Sequence, residues 1–252
     1  MESQSLITIN KQPLSFVEVL NYLRATGDDQ FFILKILRQH LIETELSTHN
    51  ELEINTKSIE KAMIEFRAQN NLNKKSELES WLKEKGFKYK DLKHKIETKL
   101  KVEKLKIAIT NSHIREYFEG NKKSLEQVVL SRIIVTDENF AKTLKSKIQD
   151  EGQSFETLAR ENSLTSDKYT RGMMLPMMLG QLPGNLKEQI SVTPPGQLIG
   201  PVKVDGGYCL LRVEEFIPAS LDDEMKQKIQ DQLFEQWLAQ KLQNAEVKLH
   251  VL

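Results

Sequence analysis

A single cysteine, Cys209, stands in a chain of 252 residues. It can close no internal disulfide, so redox chemistry leaves the compartment open. Neither sign of charge is in excess: Lys+Arg and Asp+Glu number 36 each. A nucleic-acid binder would show a basic surplus, so that class is excluded, and nothing invites a charged membrane surface. No apolar run reaches the roughly 18 residues of a membrane span. Metal and nucleophile motifs are missing as well: there is no C-x-x-C, H-E-x-x-H, P-loop or G-x-S-x-G. The five histidines, His40, His49, His94, His113 and His250, lack metal-ligand spacing, and none falls between residues 114 and 249. No cofactor or metal is therefore expected. The opening Met1-Glu2-Ser3-Gln4-Ser5 has no basic region leading into an apolar stretch and cleavage site. As written the chain reads as cytoplasmic, or as periplasmic or extracellular-facing if a signal has been removed.

Proline and glycine are scarce in the first half. Only Pro13 lies outside Pro176 to Pro218, and only Gly27, Gly86 and Gly120 occur up to residue 120. The first half is thus predicted helical and the second turn-rich. Leu6–Asn10 is a strand candidate ended by a Lys11-Gln12-Pro13 turn. Ser15 and Glu18 form a capping box before a helix over Phe16–Ala25. Asp28 or Asp29 opens a second helix, with Phe31, Leu34, Leu37, Leu41 and Ile42 at helical spacing. Further helices are predicted over Lys57–Leu72, over Leu78–Lys85 (capped by Ser76 and stopped by Gly86), over Lys90–Ile109, and over Ser112–Phe118 ending at Gly120. The alternating Lys and Glu of Lys99–Lys106 read as an exposed, ion-paired face. Near the C-terminus, Leu221–Ala245 carries a stripe of Met225, Ile229, Leu233, Trp237 and Leu242, which reads as core packing. Val247–Val251 alternates like an edge strand and is the expected partner of Leu6–Asn10.

The second half opens with Val128-Val129-Leu130-Ser131-Arg132-Ile133-Ile134-Val135. An amphipathic helix follows, and then Phe155-Glu156-Thr157-Leu158-Ala159-Arg160-Glu161-Asn162-Ser163. It closes with Gly196-Gln197-Leu198-Ile199-Gly200-Pro201-Val202 and Gly206-Gly207-Tyr208-Cys209-Leu210-Leu211. Between them lie two Met-Met pairs, Met173-Met174 and Met177-Met178. Methionines of this kind either form an adaptable binding surface or fill core gaps.

In this order the segment resembles the parvulin family of peptidyl-prolyl isomerases, whose pattern runs A-R-H-I-L-V, F-x-x-L-A-x-x-x-S, G-x-x-x-G-P-V and G-x-H-I-I. The resemblance covers about ninety residues. It implies a proline pocket near Leu182 and Leu186, where the family has Met and Phe, flanked by Met174 and Met178. The plainer reading of the two leucines is the inner face of a helix over Gly184–Ile190. It also implies a polar cluster, and there the sequence departs from the family. Arg132 stands at the first histidine position and Cys209 at the second. The family Cys or Asp falls near Thr165 or Ser166, with Asp167 adjacent and able to neutralise Arg132. Val204 and Gly206 replace the hydroxyls that precede the second histidine. Cys209 itself reads as a small buried hydrophobe in a strand.

The helical segments, with Trp81–Phe87, the long charged helix and Ile114–Phe118, are similar in order to the N-terminal region of SurA- and PrsA-type foldases. The expected architecture is α+β: a helical chaperone module of 1–123 plus 218–252, with a parvulin-like domain of 124–217 inserted. The resemblance implies a chaperone for unfolded or secreted polypeptides whose isomerase domain is weak or inactive. A working prolyl isomerase acting on proline-containing clients is the alternative, and the oligomeric state stays open.

Overall fold

A computed structural model of the chain describes residues 5–49 and 51–248. The chain divides into two compact units. One takes the described residues up to His113 together with those from Gln227 onward, and the other is Ile114–Lys226.

The first unit begins with a hairpin of β1 (Ser5–Ile9) and β2 (Gln12–Ser15). It turns at Asn10 and Lys11, which both take positive φ, 50° and 69°. Two successive residues in that region are what a tight two-residue hairpin requires. The expected Lys11-Gln12-Pro13 turn is corrected: β1 pairs with β2, and Pro13 lies in a strand, not in the turn. The expected partner of the first strand, Val247–Val251, reaches into residues that lie outside those described.

Ser15 then caps α1 (Phe16–Thr26) with the expected box: its hydroxyl accepts from the Glu18 N–H at 3.3 Å, and the Glu18 carboxylate accepts from the Ser15 N–H at 2.7 Å. The helices that follow are α2 (Asp29–Thr48), α3 (Thr56–Gln69), α4 (Lys75–Glu84) and α5 (Tyr89–Thr110). Helix α4 starts one turn earlier than the Ser76 cap implied, because the Glu77 carboxylate closes onto the Lys74 N–H at 2.8 Å.

Helices α3, α4 and α5 share a core of Ile59, Met63, Leu72, Leu78, Leu82, Leu92 and Ile96. Trp81 packs edge-on against Phe66 beside it. A second core joins Ile42 and Leu52 to Leu105, Phe234 and Leu238. The last two residues belong to α10 (Asp223–Gln243), the C-terminal helix. On α10 the buried positions are Met225, Ile229, Phe234 and Leu238, with Trp237 half-buried and stacked on Phe234. The stripe is thus turned by one residue from the Leu233, Trp237 and Leu242 line. Arg38–Glu235 and Lys241–Glu45 ion pairs flank this contact.

The second unit opens with α6 (Ile114–Leu125), which runs straight through Gly120, where the sequence suggested a stop. That glycine has no positive φ, so it acts as a tolerated helix residue, not as a cap. Next come β3 (Gln127–Val135), α7 (Glu138–Gln149), α8 (Phe155–Asn162), β4 (Met177–Met178), α9 (Gly184–Val192), β5 (Leu198–Val204) and β6 (Gly207–Ile217). The four strands form an antiparallel sheet in the order β4-β3-β6-β5. Alternation along β3 and β6 gives the sheet two apolar faces. One carries Ile133, Val135 and Leu210 and is covered by Ala141, Leu144, Phe155, Leu158 and Ala159 of α7 and α8. The other carries Val128, Leu130, Cys209, Leu211 and Val213 and meets Ile190 of α9 and Leu179.

Candidate functional site

The second face holds the candidate site. On β3, Arg132 falls between Leu130 and Ile134 in the alternation, so its side chain stands on the face that carries Cys209. Arg132 lies across from Leu211, and Cys209 across from Ile134, which makes Arg132 and Cys209 diagonal neighbours. The two residues that the resemblance set at histidine positions are therefore brought together.

A polar chain runs outward from them. The Arg132 Nε donates to Asp167 Oδ2 at 2.5 Å, and Asp167 is mostly buried. The Thr165 hydroxyl donates to the other Asp167 oxygen. Ser163 and Thr165 share a hydrogen bond of 3.0 Å, and the Ser163 Oγ accepts from the Ile134 N–H at 3.1 Å. Asp167 lies in the first turn of the 3-10 segment Ser166–Thr170, with its carboxylate fixed from both sides. The sequence pointed to Ser166, Thr165 and Asp167 for this region. Thr165 and Asp167 join the network, whereas Ser166 is exposed beside it. Ser163 was missed. Its signal was available as the last residue of the F-x-x-L-A-x-x-x-S pattern, a serine that is only 4% exposed and tied to a strand backbone.

Gly172 fixes the loop that brings Asp167 in. Its carbonyl accepts from the Arg132 N–H at 2.8 Å, and the Met174 N–H donates to Leu130 O at 2.9 Å. At φ 84° a Cβ on Gly172 would sit 2.7 Å from Arg132 O, so the close approach needs a residue without one. Met174, Leu182 and Leu186 then pack against the Val128–Leu130–Cys209–Leu211 cluster as half-buried side chains. They form an apolar floor on the sheet face that also carries Arg132. Met177 packs on the same cluster, while its neighbour Met178 pairs with Gln127 at the strand end.

The electrostatics differ from those of an imidazole pair. Arginine keeps its proton at any ordinary pH. Burial pushes the Cys209 thiol up to about 11, with Asp167 adding to the rise and Arg132 opposing it. Cys209, 3% exposed, is thus held as the neutral thiol near neutrality, which disfavours it as a nucleophile. Across the sheet, Arg212 lies over the Phe155 ring and pairs with Glu156 at 2.6 Å and Glu214 at 2.8 Å, away from the cluster.

Compared with known proteins, residues 109–227 match the PPIC-type PPIASE domain family, Rotamase_2. Those bounds nearly coincide with the second compact unit. Residues 109–227 are a parvulin domain of the PPIC type. The chain is also 31% identical over 156 residues to foldase protein PrsA 2 of Bacillus cereus, an alignment that takes in 58% of this chain and 50% of that protein. Foldase protein PrsA of Geobacillus kaustophilus is 30% identical over 135 residues, covering 53% and 46%. The chain thus spans about half the length of the curated relatives it matches. In fold, it resembles a crystal structure of the peptidylprolyl isomerase PrsA from Bacillus anthracis, with a TM-score of 0.52 at 23% identity over 87% of this chain and 99% of that one. On one face of its sheet this domain carries the Arg132–Asp167 pair and the buried Cys209 thiol.

Proposed function

We propose that the chain is a chaperone of the SurA/PrsA kind that binds unfolded polypeptides, with a parvulin domain weak or inactive in prolyl isomerisation. The observation that carries this is the Arg132–Asp167 pair. Isomerisation must lower a barrier of roughly 18–20 kcal/mol by favouring a twisted amide over the planar one. A guanidinium already engaged by a fixed carboxylate, next to a thiol locked in its neutral form, offers little differential stabilisation to that twist. The relatives are named as foldases, which supports polypeptides as the clients. They lend nothing to a cytoplasmic placement, so of the two locations left open by the sequence we carry forward the exported side. No helix among the described residues is long and apolar enough to cross a membrane.

The second reading, a working isomerase, draws on the apolar floor of Met174, Leu182 and Leu186, which offers a surface for a proline ring. A paired assay separates the two. We expect the chain to suppress aggregation of an unfolded protein while showing turnover far below ordinary parvulins in a protease-coupled peptide assay. Turnover at the ordinary level overturns the main reading. Low turnover abolished by Leu182→Ala would assign the floor to proline.

A further inference from the structure

The balance of charge over the whole chain hides a local excess. Between residues 83 and 95 stand six lysines, Lys83, Lys85, Lys88, Lys90, Lys93 and Lys95, against two carboxylates, Glu84 and Asp91. This stretch joins α4 to α5, and every residue from Lys83 to Asp91 is exposed. Both carboxylates are already engaged. Glu84 pairs with Lys85 at 3.1 Å, and Asp91 accepts from the Lys88 N–H at 2.8 Å to close the start of α5. Among the described residues, Lys83, Lys88, Lys90 and Lys93 have no carboxylate within ion-pair distance. A solvated helix face ordinarily interleaves the two signs at i,i+4. Further along α5 that pattern returns, with Lys101 on Glu97 at 2.8 Å. At the turn it is missing.

The same turn presents two aromatic rings. Helix α4 ends at Gly86, which takes φ 67°. The Gly86 N–H donates to Lys83 O at 3.2 Å and the Phe87 N–H to Leu82 O at 2.8 Å. That closure sets the residue after the glycine against the last turn of the helix. Phe87 does reach Trp81, with ring centroids 6.3 Å apart, yet 41% of it stays exposed. Lys95 Nζ lies 5.8 Å over its ring. Tyr89 is 55% exposed. Lysines and aromatics thus alternate in Lys85-Gly86-Phe87-Lys88-Tyr89-Lys90. Rings flanked by lysines suit the boundary of a bilayer. The ring enters the headgroup layer, and the ammonium groups, on flexible stems, stay with the phosphates.

We propose that the α4–α5 turn docks the chain on a bilayer surface rich in anionic phospholipid, with Phe87 and Tyr89 entering the headgroup layer and the surrounding lysines meeting lipid phosphates. Charge complementarity argues for this occupant. Each lysine near an anionic surface favours binding about fivefold, so the local excess of lysine over carboxylate gives on the order of a few hundred-fold over a neutral bilayer. The rings separate a bilayer from a soluble acidic chain. An acidic polypeptide satisfies the lysines and leaves both rings in water, whereas a headgroup layer takes up both. Docking of this kind needs no spanning helix. It uses no residue of the parvulin face, so it stands or falls apart from the foldase reading.

The test is co-sedimentation of the full chain with vesicles of phosphatidylcholine, alone or with about one third phosphatidylglycerol, at about 0.1 M salt. Binding to the anionic vesicles only is expected, with a loss of about tenfold or more when salt is raised to about 0.5 M. Lys83→Glu, Lys88→Glu and Lys90→Glu together should abolish it. Lys57→Glu, Lys123→Glu and Lys203→Glu together change the net charge equally at exposed lysines elsewhere, and should leave binding within about threefold. Phe87→Ser with Tyr89→Ser keeps every charge and should weaken binding about tenfold. Far-UV spectra check that each variant is folded. Failure to bind the anionic vesicles overturns the proposal. So does binding that the two sets of charge reversals lower equally, or that loss of both rings leaves unchanged. Capture of polyglutamate without vesicle binding also overturns it, and assigns the lysines to acidic polypeptides.

Discussion

At the scale of the residue, burial and pairing separate groups that a motif alone would treat alike. Cys209 shares a sheet face with Arg132, yet its thiol, raised by burial to about 11, should hold ~100-fold less thiolate than an ordinary cysteine. Native protein should therefore react with a thiol reagent only as fast as it opens, and at the ordinary rate in denaturant. Rapid labelling of the native chain would show Cys209 to be accessible. Asp167 is the residue on which Arg132 and Thr165 converge. Asp167→Ala leaves a guanidinium without its carboxylate and should cost about 1.5–3 kcal/mol in urea denaturation; a loss below ~0.5 kcal/mol would mean that water replaces the pair. Glu156 lends itself to a pH test. Its carboxyl is lowered to about 2 by its bond to Arg212, with help from its own backbone N–H and from Ser154. The unfolded carboxyl titrates near 4.5. Its contribution is thus complete above that pH and fades as pH falls toward 2. The stability gap between the parent chain and Glu156→Gln should be constant from pH 7 to 5 and narrow below 4.5. A gap that stays open at pH 2.5 would remove the ion pair as its cause.

At the scale of the element, what could be read in the sequence was whatever is written locally. Ser15 and Glu18 announce the cap of α1, and the order of motifs from Val128 to Leu211 places β3, α8, β5 and β6. It also puts Arg132 near Cys209, since the pattern carries the register of the sheet with it. What escaped depends on conformations that a residue type does not dictate. Asn10 and Lys11 adopt left-handed φ without a glycine, so the hairpin was hidden and Pro13 was placed in the turn. Ser163 looked like a helix end, and only the approach of Ile134 makes it part of the site. On α10, a period of 3.6 fits two neighbouring stripes, and contact with Ile42, Leu52 and Leu105 selects Phe234 and Leu238. This ranks two substitutions. Leu238, 1% exposed, should cost about 2–5 kcal/mol when changed to Ala, and the half-buried Trp237 less. Equal losses, or the reverse order, in denaturant titrations would contradict the stripe. Gly172→Ala should also destabilise, because both its φ and the 2.7 Å approach to Arg132 O resist a methyl group.

At the scale of the molecule, the division of labour between the two units is open to experiment. The unit Ile114–Lys226 is a closed α+β structure with a core on each side of its sheet. Its unburied apolar groups are few and include Leu164, Tyr169, Met173 and Leu175 around the turn that carries Asp167. The helical unit has its own cores, and α10 completes one of them through Phe234 and Leu238. It also leaves far more apolar surface open, in β1, α1 and α2 and at Ile64 and Phe87. Unfolded chains offer apolar side chains in no fixed order, so the surface that grips them must be broad rather than exact, and that favours the helical unit as the main client site. Ile114–Lys226 alone should therefore bind a permanently unfolded protein at least tenfold more weakly than the full chain, as read by fluorescence anisotropy. A chain in which His113 is joined to Gln227 by a short Gly/Ser linker should retain most of the affinity. If the isolated parvulin domain binds as tightly as the whole and the joined helical unit does not bind, the Met173–Leu175 loop and its apolar floor are the client site, and the helices serve only to hold the chain together.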